Sequence, residues 1–111
     1  MEWQPIEWDD GYPTDESLEY YENVRSFGFE GSGEFLVDTL KTCVGNCCAF
    51  YRERNGKDTF GKSVLLIDFS TGGWSGAEDI ISIIQRNIFL SRYMLSWRRG
   101  GHYVFEIPVA P

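Results

Sequence analysis

The chain predicts an α+β fold of two layers, with a mainly antiparallel sheet of about four strands covered by two to three helices. Three stretches carry that expectation. Residues Ser63 to Phe69 are almost unbroken apolar sequence, as in a central strand covered on at least one face. Ile80, Ile81, Ile84 and Ile88 then recur at helical spacing just beyond a glycine-rich turn. Finally, Arg92–Arg98 and His102–Ile107 flank Arg99-Gly100-Gly101 and read as a hairpin.

With 111 residues, of which 16% are aromatic, there is chain enough for one core. The division expected is an extended N-terminal arm over residues 1–13 and a single α+β domain over 14–111. The arm mixes Trp3, Trp8 and Tyr12 with carboxylates and is punctuated by Pro5, Gly11 and Pro13, so it shows no clean period. Thr14 is placed to cap a helix over Asp15–Arg25, with Asp15 and Glu16 at the positive end of its dipole. That helix has only a modest apolar stripe and is expected at the periphery.

Glu34–Cys43 reads as a second helix, because Phe35, Leu36, Thr39, Leu40 and Cys43 share one face. Gly45 and Asn46 supply its stop. A strand is expected over Cys47–Glu53, followed by a turn at Asn55-Gly56. The central strand over Lys62–Phe69 runs into the loop Ser70–Gly76, and the main helix over Ala77–Ile88 runs out of it. In the hairpin, a three-residue loop with a left-handed glycine pairs Trp97 with Tyr103, Leu95 with Phe105 and Tyr93 with Ile107. A two-residue loop would instead put Tyr103 and Phe105 on the face of Arg98 and Ser96, so the longer loop is favoured. Arg98 then stands opposite His102, and Pro108 ends the last strand.

Net charge is −7, unevenly spread. Residues 1–38 hold eleven carboxylates and one basic residue, net −10, while residues 39–111 hold six and nine, net +3. Such polarity steers association with a basic partner, or simply keeps an N-terminal helix solvated. Recognition of nucleic acid by a broad basic face is disfavoured, since phosphate neutralisation needs clustered Lys and Arg. No apolar run approaches the ~20 residues of a membrane span, and the first residues lack the basic and apolar regions of a signal peptide. No membrane association and a cytoplasmic setting are therefore expected. Three cysteines, an odd number with Cys47 and Cys48 adjacent, read as reduced thiols.

Four chemistries present themselves. Gly73-Trp74-Ser75-Gly76-Ala77 is one residue short of a nucleophile elbow, but Ser75-Gly76-Ala77-Glu78 is a complete capping box and explains both polar residues as a helix start. The same glycines resemble a phosphate cradle, but Glu78 and Asp79 in the first turn already complement the dipole and repel anions. Cys43, Cys47 and Cys48 lack zinc spacing, and buried packing is their ordinary role. The segment from Arg98 to His102 is the best residue-level candidate: two guanidiniums and an imidazole at one hairpin tip suit bidentate anion binding. The plainer alternative is a solvated turn whose arginines pair with the acidic N-terminal third.

The runs Ser70–Ile81 and Ser96–Phe105 together resemble a family of small uncharacterised proteins of bacteriophages, prophages and bacteria. These carry S-T-G-G-W-S-G-N-E-x-[IL]-I and S-x-R-R-G-G-H-[YF]-x-F blocks. The resemblance spans roughly residues 14–107, weakly before Lys62, and this chain has Ala77 where the family often has Asn. It implies a phage or prophage setting and lends no activity.

The functional expectation is a non-enzymatic acidic binding protein that modulates or inhibits a host macromolecule, with Asp9, Asp10, Asp15, Glu16 and Glu19 as the partner-binding set. The alternative is a binder of a nucleotide-like anion, bracketed by the Gly72–Gly76 loop and the hairpin through Trp74, Ser75, Arg98, Arg99 and His102. No catalytic residue, metal or cofactor is expected.

Overall fold

The computed structural model describes residues 3–24, 31–46, 49–98 and 101–108. The chain is built as β1 (Trp8–Asp9), β2 (Tyr12–Pro13), α1 (Asp15–Asn23), α2 (Ser32–Asn46), β3 (Phe50–Lys57), β4 (Ser63–Ser70), α3 (Ser75–Arg86), α4 (Ile88–Ser91), β5 (Met94–Arg98) and β6 (His102–Pro108). The main sheet has the order β3-β4-β6-β5 and every neighbouring pair is antiparallel. A small β1-β2 ribbon, absent from the sequence expectation, forms a separate two-stranded sheet.

Alternation along the strands decides which side is core. Ile67 and Phe69 of β4 and Tyr103, Phe105 and Ile107 of β6 face the helices and join one cluster with Phe35, Leu36 and Leu40 of α2 and Ile80, Ile81, Ile83 and Ile84 of α3. On the other side lie Arg52 and Arg54 of β3, Leu66 and Asp68 of β4, and His102 and Val104 of β6. Val64 on that side is buried but stands outside the cluster. The helices therefore cover one face of the sheet, and no element among the described residues covers the opposite, open face.

Several boundaries differ from expectation for identifiable reasons. Thr14 caps α1 as foreseen, its hydroxyl accepting from the Ser17 N–H. The helix is not peripheral, however, since Tyr21 and Val24 enter the core. Helix α2 begins at Ser32 and runs on through Gly45 to Asn46, whose side chain donates to the Thr42 carbonyl. The strand set at Cys47–Glu53 is shifted: Asn55 and Gly56 lie inside β3, opposite Leu65 and Val64. Gly56 serves close approach instead of a turn, because a Cβ there would stand 2.5 Å from a Leu66 methyl. The turn itself is made by Asp58, whose carboxylate accepts from the N–H groups of Phe60 and Lys62.

Helix α3 also departs from its expected frame. Trp74 is the N-cap and makes no side-chain cap bond, so Ser75 is the first helical residue and the Ser75–Glu78 capping box does not form. Glu78 instead accepts from the Thr71 hydroxyl. At the far end Asn87 adopts an extended backbone and breaks the helix, leaving Ile88 exposed, contrary to the predicted stripe. In the hairpin, Trp97 pairs with Tyr103 and Arg98 with His102 as expected, and Gly101 is left-handed at φ 78°. An irregularity between Met94 and Ser96 then places Met94, not Leu95, opposite Phe105. Leu95 and Trp97 are exposed, so the aromatic face is carried by β6.

The arm packs on the body. Trp3 stacks on Tyr21 and Phe35, Ile6 is buried, and the Trp8 indole donates to Thr42. No helix among the described residues is long and apolar enough to cross a membrane.

Candidate functional site

The open face of the sheet gathers Arg52, Arg54, Asp68 and Arg98. Alternation puts Phe50, Arg52 and Arg54 of β3 on that face. Cross-strand register then sets Asp68 beside Arg52, Val104 beside Asp68, and Ser96 beside Val104. One row further, Phe50, Ser70, His102 and Arg98 follow one another across the four strands. Together these residues line a shallow recess of about 490 Å³.

Asp68 organises the β3 end of this recess. Arg54 holds it in a two-point grip, Nε to Oδ2 at 2.7 Å and Nη2 to Oδ1 at 3.1 Å. Arg52 donates to the same Oδ2 from Nη2 at 3.0 Å and from Nε at 3.3 Å. Hydrogen bonds from Arg54 first, then from Arg52, outweigh partial desolvation and hold the Asp68 carboxyl down at about 2. One carboxylate thus answers two guanidiniums, and the Nη1 groups of both arginines carry no hydrogen bond among the described residues. Arg98 adds positive charge at the other end, and the His102 imidazole stands beside it across the strands.

Among the described residues the glycine loop meets the hairpin through direct hydrogen bonds. The Thr71 N–H donates to the Gly101 carbonyl at 3.0 Å, and the Thr71 hydroxyl donates to Glu78 at 2.9 Å while accepting from the Gly73 N–H. A Cβ on Gly101 would collide with that hydroxyl. Glu78 therefore fills the space at the helix start where an anion would have to sit, and Thr71 and Gly101 close the seam. Of the loop, only Ser70 reaches the recess.

The sequence candidates consequently separate into three places. Arg98 and His102 line the recess; Arg99 lies outside the described residues, as do Cys47 and Cys48. Trp74 points to the other side of the loop, its indole donating to the Gly11 carbonyl at 3.3 Å and its ring stacking on Tyr12. Ser75 is exposed in the first turn of α3 and does not line the recess. Asp9, Asp10, Asp15, Glu16 and Glu19 are all exposed, on the small ribbon and on α1. Arg98 makes no ion pair with them among the described residues; the N-terminal third is tied to the body by Arg86 and Glu22 at 2.9 Å. Cys43 is buried in α2.

Sequence reasoning missed Arg52, Arg54 and Asp68. The signal was present as an Arg-x-Arg alternation, but a turn assigned to Asn55-Gly56 ended the strand before Arg54. Among the described residues no cluster of three or more His, Cys, Asp or Glu side chains is arranged to hold a metal ion. Comparison of the chain with protein-family models, with curated proteins and with solved structures found no match.

Proposed function

We propose that the protein is a non-enzymatic binding protein whose recognition surface is the open face of the sheet, and that its partner is an acidic macromolecule. The observation that carries this reading is the gathering of Arg52, Arg54, Arg98 and His102 around one recess with Asp68 as the sole carboxylate lining it. Guanidiniums held in place by a buried or half-buried acid are suited to bidentate carboxylate and phosphate contacts. No element among the described residues covers the face, so a macromolecule has access that a deep pocket would deny it. A host macromolecule fits the phage-like resemblance of the chain. The nucleotide-like anion of the alternative expectation would have Arg98 and His102 but not Trp74, whose ring is engaged by Tyr12.

The basis for leaving catalysis out is positional: Ser75 is not among the residues lining the recess that holds His102, and Glu78 is bound to Thr71. A second reading keeps the acidic set as an additional surface for a basic partner, on the ground that its five carboxylates are exposed and outside every ion pair found among the described residues.

The test is titration with poly-glutamate at low salt, followed by intrinsic tryptophan fluorescence or calorimetry. Binding is expected, and the triple variant Arg52→Glu, Arg54→Glu, Arg98→Glu should abolish it while lysine replacement of the acidic set leaves it intact. Absence of binding, or binding indifferent to the triple variant, overturns the reading.

A further inference from the structure

We infer that the partner engages this protein as an extended acidic peptide, adding to the free edge of β3 as a fifth strand with alternate carboxylates placed on Arg52 and Arg54; the inference rests on the binding role proposed above. The two edges of the sheet are unlike. Edge strand β5 has five residues and is disrupted between Met94 and Ser96, a device that spoils strand addition. Edge strand β3 has eight residues, paired without interruption to β4 from Phe50 opposite Ser70 to Lys57 opposite Ser63. No strand among the described residues pairs with its other side. Its outward N–H and C=O groups therefore form an uninterrupted template for an incoming backbone.

Side chains on that template favour one kind of visitor. A strand laid beside β3 stands about 4.8 Å away, and its residues on the open face recur about every 6.8 Å, the spacing of Arg52 and Arg54. Carboxylates two residues apart would thus stand opposite the two guanidiniums, where opposite charges across strands are stabilising. Asp68 already fixes Nε and Nη2 of Arg54 and of Arg52, so the free Nη1 groups are presented with little further ordering to be lost on binding. On the helical side β3 presents Glu53, which Lys41 meets at 3.6 Å. An acid opposite Glu53 would be repelled. The preferred sequence is therefore alternating, with acids at every second position and uncharged residues between. A nucleic-acid strand offers no amide ladder, and Phe50 and the His102 imidazole are the aromatic side chains that the register puts on this face among the described residues, too few for an extended base-stacking platform.

The probe is a capped peptide of alternating glutamate and threonine, compared with two versions N-methylated either on all glutamate nitrogens or on all threonine nitrogens. In an added strand only one alternating set of N–H groups faces β3. One methylated isomer should lose about tenfold or more in affinity while the other stays close to the parent. Amide hydrogen exchange should slow at alternate residues of β3. A block peptide with consecutive glutamates should bind more weakly than the alternating one. Equal binding of both methylated isomers would overturn strand addition but leave the anion-binding face standing. Preference for oligo(dT) or inorganic phosphate over the peptide would overturn the peptide assignment. If neither the peptide nor poly-glutamate binds, the binding role itself fails.

Discussion

Asp68 is the residue on which the open face turns. It is a half-buried acid between two exposed arginines, with 21% of its side chain accessible against 62% for Arg52 and 45% for Arg54. Because its carboxyl is held at about 2 in the folded protein and titrates near 3.9 in an unfolded chain, the ionised form is favoured by folding. The stabilisation is fully present above pH ~4 and is lost as pH falls from about 4 toward 2. Asp68→Asn should therefore flatten the acid limb of the stability curve in that window, read as urea midpoints over a pH series. An unchanged acid limb would show that the two arginine contacts contribute nothing to folding. At the same scale, burial raises the Tyr51 hydroxyl to about 12, with Glu53 a smaller contributor. Burial likewise pushes Tyr21 upward, with Tyr20 adding to the effect.

Among the elements, the junction of α3 and α4 shows how one side chain ends one helix and starts the next. Asn87 is fully buried; its amide donates to the Tyr21 carbonyl in α1, and its carbonyl oxygen accepts from the Phe89 N–H as an N-cap. Its own N–H returns to Ile83 and Ile84. Alanine there removes a cap worth about 1 kcal/mol and leaves a buried carbonyl unpaired at a cost of about 1–3 kcal/mol. Asn87→Ala should consequently lower stability by roughly 2–4 kcal/mol, seen as a reduced urea midpoint. A loss below about 0.5 kcal/mol, the usual range for surface changes, would mean that the bond to Tyr21 is dispensable. The two edge strands make the complementary point: a bulge in β5 and an unbroken β3 give one sheet a guarded side and a receptive one.

Across the whole molecule, charge and packing follow different divisions. The exposed acids Asp9, Asp10, Asp15, Glu16 and Glu19 lie with the helices, whereas Arg52, Arg54 and Arg98 lie on the far side of the sheet, so these two sets are separated across its thickness. Packing does not respect that division. Ile6, Tyr21 and Val24 share one core with the isoleucines of α3 and with Phe105. The arm, α1 and the sheet should accordingly unfold together. Tryptophan fluorescence, with Trp3, Trp8 and Trp74 reporting on the arm and its seat, is expected to change in the same urea transition as far-UV circular dichroism. A fluorescence transition at lower urea would make the arm a separable appendage.

Much of this arrangement was legible from local chemistry. The apolar run Val64–Phe69, the isoleucine stripe of α3, the Thr14 cap and the three-residue hairpin loop follow from burial period, capping and register, which are properties of neighbouring residues. Asn55-Gly56 was misleading because a glycine is demanded equally by a turn and by a close neighbour, and only Leu66 across the strand distinguishes the two. Ser75-x-x-Glu78 was misleading because Glu78 had a better partner, Thr71, brought in from the preceding strand end. The sequence by itself determined the layers, the core face and the presence of cations at the hairpin. Tertiary structure alone decided that Arg52, Arg54 and Asp68 join Arg98 and His102, because side chains on strands far apart in the chain become neighbours only through cross-strand register.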